Sequence, residues 1–568
     1  MNLNEVLNRF ELKLIQEIIK VEIPLTRVLI EDEKFNEKFT NKSQLIEIIA
    51  NDLFDSFLSN QKYLVLLVDH LCETEVEDFS LKIFDDYLDK AYVLKILSDL
   101  NSLSLDLTGR IKDYFKVSKG LEIEKEITQT YLSNDEVFYE LLDYQFIIKS
   151  QVLSILESDR VVPKMIIHMP TGTGKTKTMN HTLVYHYVYN LKKKGIVIWL
   201  AHTIELIDQA FQTFSNVWRN LGKGGINVNI SDVSNLDSDS QILFMSYQKL
   251  ISLSKRNPEI FNMLKANVCM IIADEAHKCL APETSKALGS IMIKGPNDYN
   301  KSLIGLTATP GRKLSDFDDE EENESLSILF EKTIITVDIN TLNNLDYKKA
   351  QNIKKFYENV YEQDQDIINY FQNREILSNI QREELIYVLN SDESKSFAEA
   401  FKRSSTKDFD YKALNNISNI IDRNRIIIQK LYELGSMKSP TIVFACSVDH
   451  GKFIEICLKI LGIRVAGVYG VTEKNLRKQI IDDFNNAKYD ILVNFEVLTT
   501  GFDSPRIQNV FITRPTKSIV LYSQMLGRGL RGPKMGGNKT CQLIDIQDNL
   551  DRFSNENEAF RYFEEYWR

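Results

Sequence analysis

Cysteine is scarce in this sequence and nowhere paired. Cys72, Cys269, Cys279, Cys446, Cys457 and Cys541 form no Cys-x-x-Cys spacing, which argues against a zinc site or a disulfide framework and for a reducing interior. No apolar run approaches the ~18 residues of a membrane span. The opening Met1-Asn2-Leu3-Asn4-Glu5 has neither a basic nor a hydrophobic region, so no signal peptide is expected and cytoplasm is the expected compartment. A basic excess is missing too, since the net charge is −11. That lowers the expectation of tight nonspecific binding to nucleic acid without excluding it, because a phosphate backbone needs only a local basic or amide-lined track. Part of the negative charge is local: Asp316, Asp318, Asp319, Glu320, Glu321, Glu322 and Glu324 crowd one stretch, expected to be a solvated loop.

What is present describes an ordinary globular protein of several domains, with 568 residues, 43% hydrophobic and 26% charged. Residues 1–135 read as helical. Leu45, Ile46, Ile49, Leu53, Phe54 and Phe57 fall on one helical face, and similar spacing recurs from Phe79 to Leu100. This region shows no acid–lysine grouping of nuclease spacing, no metal-ligand set and no repeat, so it reads as a helical accessory domain. From about Tyr139 short apolar runs alternate with amphipathic segments, as in a parallel sheet covered by helices. Expected strands are Ile196–Leu200, Ile242–Met245, Val268–Ala273 and Leu303–Leu306. A polar stretch poor in Gly and Pro, 341–415, reads as an ordered helical insertion. Alternation then resumes with Thr441–Ala445, Val465–Val468, Ile491–Val493, Val510–Thr513 and Cys541–Ile544. The tail, with Phe560, Phe563, Tyr566 and Trp567, reads as a helix packed on a lobe.

Chemistry concentrates at Met169-Pro170-Thr171-Gly172-Thr173-Gly174-Lys175-Thr176, between an apolar run (Met165–Ile167) and a helical pattern (Thr178–Leu191). Strand, glycine loop and helix are what a phosphate-binding loop requires. Gly172 and Gly174 let backbone amides close on phosphate oxygens, and the helix start adds its positive dipole end. Lys175 is placed to reach the β- and γ-phosphates and Thr176 to hold Mg²⁺. Met169 stands where the full pattern has glycine. The strand at Val268–Ala273 ends in Asp274-Glu275-Ala276-His277, an acidic pair at the carboxyl edge of a sheet, where such sheets place their ligands. Asp274 suits the Mg²⁺ shell and Glu275 suits polarising water.

These motifs, with Leu306-Thr307-Ala308-Thr309-Pro310, Thr499-Thr500-Gly501-Phe502-Asp503 and Gln524-Met525-Leu526-Gly527-Arg528-Gly529-Leu530-Arg531, resemble a superfamily 2 helicase over residues 139–548. The details are similar to restriction-enzyme motor subunits and related DNA repair helicases rather than DEAD-box RNA helicases. The resemblance implies an α/β fold of two RecA-like parallel-sheet lobes, with an N-terminal all-helical domain and a helical insertion between the lobes. The divisions are 1–135, 136–340, 341–415 and 416–568.

It further implies an ATPase using ATP and Mg²⁺. Thr171, Gly172, Thr173, Gly174, Lys175 and Thr176 would bind phosphate, Thr176 and Asp274 the metal, and Glu275 the attacking water. Gln145 resembles the residue that reads adenine, and Thr307 and Thr309 the motif that links hydrolysis to lobe movement. Gly501 and Asp503 would touch the nucleotide from the second lobe. Gln524, Arg528 and Arg531 would sense the γ-phosphate, one arginine serving as finger. Contacts to nucleic acid, DNA in preference to RNA, would come from Ala201-His202-Thr203, Ser246 and Ser447. The implied activity is an ATP-driven DNA translocase or helicase of a restriction, repair or antiviral system. The alternative is an ATP-gated sensor or scaffold that recruits a protein effector through the N-terminal helices. No nuclease or methylase region is visible.

Overall fold

The computed structural model describes residues 1–99, 103–115, 129–132, 139–230, 241–293, 301–309, 320–352, 366–387, 408–499, 502, 504–516 and 518–546. By its internal contacts the chain divides into two units. One comprises 1–124, 386–400 and 411–495, the other 125–385, 401–410 and 496–568.

Both expected parallel sheets are present. The first is built from β1 (Gln129–Leu132), β2 (Lys164–His168), β3 (Ile196–Ala201), β4 (Ile226–Ile230), β5 (Ile242–Ser246), β6 (Val268–Asp274), β7 (Ser302–Thr307) and β8 (Ile334–Thr336), in the order β1-β4-β5-β3-β6-β7-β2-β8. β1 runs antiparallel to β4, and the remaining pairs are parallel. The central strands β3, β6 and β7 are buried along their whole length. That is why they read as continuous apolar runs rather than alternating ones. Ile198, Leu200, Ile271 and Ala273 join Leu250, Leu264, Leu288 and Phe330 in one core below the sheet.

The second sheet contains β9 (Asn379–Leu385), β10 (Thr441–Phe444), β11 (Val465–Val468), β12 (Ile491–Asn494), β13 (Asn509–Ile512) and β14 (Thr540–Ile546), in the order β11-β12-β10-β13-β14-β9. β12 pairs in parallel with β10 and β11, and β14 with β13 and β9.

Three stretches differ from expectation. The N-terminal region is helical through Leu105–Phe115, but β1 follows it and edges the first sheet. The stretch expected to be a helical insertion supplies β9, whose charged sequence suits an edge strand with most of its side chains open to water. The acidic run is helical from Glu320 to Leu329, because Leu326 and Phe330, four residues apart, are buried. The aromatic tail lies outside the described residues.

The N-terminal helices have a definite seat within their own unit. Arg27–Glu31 and Lys42–Asn51 pack on the helices Ile421–Ser436 and Val448–Ile460. Lys459 joins Asp52 at 2.5 Å and Glu455 at 2.9 Å, and the Gln44 amide donates to the Lys459 carbonyl. Around this pair, Arg425 meets Glu31 at 3.2 Å and Gln429 donates to Asp32 at 2.7 Å. Phe35 packs edge-on to Tyr432 at 5.1 Å. Burial alone would lower the Lys459 ammonium, but Glu455 and Asp52 outweigh it and hold its pKa above the ordinary value. Among the described residues, no helix is long and apolar enough to cross a membrane.

Candidate functional site

The phosphate loop joins β2 to the helix Lys175–Tyr185. Gly172 and Gly174 take φ of +85° and +82°, a left-handed backbone that other residues adopt only under strain. Met169 needs no such conformation, which explains why the missing glycine is tolerated: its side chain is buried and its N–H donates to the Thr307 carbonyl at 3.3 Å. Thr173 turns inward and closes the loop with a hydroxyl bond to Pro170 O at 2.7 Å. Lys175 folds back over the same loop, donating to Met169 O at 3.1 Å and Pro170 O at 3.3 Å. Thr176 follows on the first helical turn, half-buried.

Gln145 buttresses the loop from the helix Asp143–Leu156. Its Nε2 donates to Thr173 O at 3.0 Å, where the Tyr144 hydroxyl also donates at 2.7 Å, and its Oε1 accepts from the N–H of Leu142. A Cβ on Gly174 would stand 2.4 Å from that amide nitrogen, so glycine is needed there for room as well as for φ.

The acidic pair ends β6. Asp274 is buried, its Oδ1 accepting the Glu275 N–H at 3.0 Å and its carbonyl accepting the buried Tyr247 hydroxyl at 2.7 Å. Glu275 sits in the left-handed region at φ +53°, a strained conformation of the kind that clusters at functional sites. Its carboxylate lies 3.5 Å from His277 Nδ1. Burial, then the neighbouring Glu275 charge, push Asp274 up to about 7, against the pull of Lys175. Burial pulls Lys175 down to about 8, against Glu275 and Asp274, with Arg528 repelling it. Thr307 and Thr309 close a small turn, the Thr307 hydroxyl donating to Thr309 O at 2.7 Å, and His168 bonds Ala308 O at 3.1 Å.

Residues far along the chain belong to the same unit and the same place. A Cβ on Gly527 would come within 2.5 Å of the Thr171 methyl, and one on Gly172 within 3.4 Å of Leu377. The segment Gln524–Arg531 therefore presses on the phosphate loop. Arg528 is aimed by three carbonyls: its guanidinium donates to Phe502 O, to Thr499 O at 2.9 Å and to Gln524 O at 3.3 Å. The Arg531 backbone bridges Leu377, and its carbonyl accepts the Ser378 hydroxyl at 2.6 Å. Gly501 and Asp503 lie outside the described residues.

Sequence matches agree with this geometry. Residues 138–312 match the family model "Type III restriction enzyme, res subunit", and 423–532 match "Helicase conserved C-terminal domain". The two matched segments carry the motifs on which the resemblance to a superfamily 2 helicase stands. A putative mitochondrial ATP-dependent helicase irc3 of Schizosaccharomyces pombe is 35% identical over 122 residues, 22% of this chain and 20% of the relative. The putative ATP-dependent helicase IRC3 of Saccharomyces cerevisiae is 26% identical over 413 residues, 72% of this chain and 51% of the relative. The type I restriction enzyme EcoKI endonuclease subunit of Escherichia coli is 24% identical over 422 residues, 68% and 33% of the two chains. The chain thus spans between about one fifth and one half of the length of these relatives.

The candidate nucleic-acid residues have local structural duties. Thr203 accepts the Leu206 N–H, Ser246 that of Lys249 and Ser447 that of His450, each as the N-cap of the helix that follows. Ser447 is buried, which removes it as a surface contact. Two residues that sequence reasoning passed over complete the site: Tyr247, which holds the Asp274 carbonyl, and Tyr144, which holds Thr173. Both belong to apolar helical patterns, so neither announced its hydroxyl.

Proposed function

We propose that the protein is an ATP-driven motor on nucleic acid, acting on DNA in preference to RNA. One observation carries this reading: Gly527 and Arg528 press on the phosphate loop that holds Lys175, although the two segments are separated by most of the second sheet in sequence. In this reading the amides from Thr171 to Thr176 and the Lys175 ammonium bind the β- and γ-phosphates, and Glu275 orients the attacking water. Arg528 and Arg531 stabilise charge on the transferred phosphate. Gln524, Gly501 and Asp503 contact the nucleotide from the second lobe, and Gln145 keeps the loop in shape beside the adenine.

The donor set fits Mg²⁺. Asp274 is a buried carboxylate whose pKa is raised by burial and then by the neighbouring Glu275 charge, and the Thr176 hydroxyl stands at the start of the adjoining helix. Bound there, Mg²⁺ would neutralise phosphate charge. Lys175 and Arg528 bring two mutually repelling cations beside the amides of the phosphate loop, which favours a polyanionic ligand. Movement on a strand then follows if nucleic acid prefers the arrangement in which Arg528 meets the loop.

The preference for DNA rests on the restriction-enzyme family model and the EcoKI relative, and a cytoplasmic setting on the free cysteines. Steady-state ATP turnover with single-stranded DNA, duplex DNA and RNA tests the reading. Stimulation greatest with DNA is expected, and RNA-only stimulation would reverse the substrate assignment. A protein that hydrolyses ATP but shows no strand displacement or translocation on any of them would instead be the ATP-gated scaffold.

A further inference from the structure

The first lobe carries a second basic surface, remote from the phosphate loop. It begins where the helix Lys175–Tyr185 gives way to a single π turn, His186–Asn190, closed by Leu191 N–H to His186 O at 2.9 Å. Such turns are rare and recur at functional sites. Tyr187 points inward and bonds Gly195 O at 2.8 Å, whereas Tyr185 and Tyr189, four residues apart, stand outward with 38% and 46% of their surface open.

Their rings lie 4.9 Å apart, and each carries an ammonium. Lys149 sits 4.6 Å above Tyr185, and Lys223 sits 4.3 Å above Tyr189. Lys193 extends the row over Trp218 at 5.1 Å, donating to Gly225 O and Lys223 O. Lys192 and Lys193 take left-handed φ of +51° and +60°. That strain throws Lys192 and Lys194 into solvent. Phe146, one turn from Lys149, is 60% exposed. Glu157 faces the same region and is engaged by Asn190 Nδ2 at 2.6 Å. Among the described residues, neither Lys149 nor Lys223 has a carboxylate partner.

We propose that this alternating row, Lys149–Tyr185–Tyr189–Lys223, binds single-stranded nucleic acid without regard to sequence. Ammoniums take phosphates and the exposed parts of the phenol rings take bases, the combination by which single strands are held. In a chain of net charge −11, five lysines gathered with Glu157 facing them, itself engaged by Asn190, mark a partner of opposite sign. Exposed phenol rings between them favour a base-bearing polyanion over an acidic peptide. Tyr185 lies roughly 15 Å from Lys175 along its helix, at 1.5 Å per residue, with Tyr189 a turn beyond, so the tyrosine pair is separable from the nucleotide site. The proposal rests on the reading of the protein as a nucleic-acid motor.

The test is binding of a labelled oligothymidylate to the full chain across a salt series, beside ATPase without nucleic acid and thermal melting. Tyr185→Ala with Tyr189→Ala is expected to weaken binding on the order of tenfold or more, while Phe at both positions retains it. Lys149→Ala with Lys223→Ala is expected to flatten the log–log salt slope by about 1.4. Basal ATPase and melting stay at wild-type values in all of them. Unchanged affinity and slope in the Ala variants would overturn the proposal and leave the motor reading standing. A wild type that binds no oligonucleotide would overturn both. If the Tyr variants lose polyglutamate binding but keep the oligonucleotide, the surface serves an acidic protein and the proposal falls.

Discussion

Lys175 and Lys459 are both lysines largely withdrawn from water, and they lie on opposite sides of their ordinary pKa. Lys459 is pulled up, because Asp52 and Glu455 bracket it at 2.5 and 2.9 Å. Lys175 falls to about 8, because its direct partners are two carbonyls of its own loop and burial wins over the more distant acids. Lys301 is a third case, capped by the carbonyls of Lys265, Ile291 and Ile293 at 2.6–2.7 Å and lowered by burial. A buried cation with carboxylates in direct contact is a fastener. One that folding leaves short of negative charge, at a glycine loop, is a site awaiting an anion.

The contrast is broken most forcefully at Lys175. Lys175→Ala is expected to abolish ATP hydrolysis and severely weaken nucleotide binding, with little loss of melting temperature, because no folded-state carboxylate is orphaned. Turnover and equilibrium nucleotide binding check it, and normal turnover would remove the phosphate-loop assignment.

Next in size is Gly527→Ala. The added methyl group would meet Thr171 at 2.5 Å, forcing the arginine segment off the loop. A shift of this kind costs about 10²-fold in turnover while leaving nucleotide affinity within a few-fold. Wild-type turnover would show that the close approach is irrelevant to catalysis.

Lys459→Met should do the reverse, sparing nucleotide binding and destabilising the unit that holds it. The pair is only partly buried, with Lys459 28% exposed, so a loss of about 1–3 kcal/mol is expected, between surface and buried ion pairs. The folded pKa is raised, so this stabilisation is complete below the unfolded value near 10.4. It is lost as pH rises through the folded value. The difference in urea midpoint between wild type and variant should therefore begin to shrink as pH rises above about 10.4 and go on shrinking toward the raised folded value, and a constant difference would contradict the ion-pair account.

Smallest is Glu75, which Arg9 holds down to about 2. Arg9 is 39% exposed, so Glu75→Gln is expected to cost less than about 1 kcal/mol. The contribution is present above the unfolded value near 4.3 and lost as pH falls toward 2. Acid titration of the urea midpoint would detect it.

How much was legible depended on whether a signal was local. β2, β3, β6 and β7 could be read because a fully buried strand is a continuous apolar run, and the phosphate loop because its glycines, lysine and threonine are contiguous. β4 and β9 escaped. Ile226-Asn227-Val228-Asn229-Ile230 is short and alternating, and Asn379–Leu385 is an edge strand with charged side chains in water. The reason Met169 can replace a glycine lies in backbone angles, which letters do not carry. Least legible were pairings across long separations. Lys459 finds Asp52 at 407 residues' distance, Lys149 stacks on Tyr185 from a different helix, and Gly527 meets Thr171. Lys459, Asp52, Lys149 and Tyr185 each read alone as ordinary helix surface, and although Thr171 and Gly527 lie in legible motifs, only folding shows that the two touch.

The central claim is that Arg528 and Lys175 serve one triphosphate. Steady-state ATPase of Arg528→Ala with and without single-stranded DNA, beside equilibrium nucleotide binding, tests it most directly. Nucleotide affinity near wild type is expected, with turnover lower by roughly 10³-fold, the scale of an arginine finger, and stimulation by DNA lost. Normal turnover that still responds to DNA would contradict the account and confine the chemistry to the first lobe.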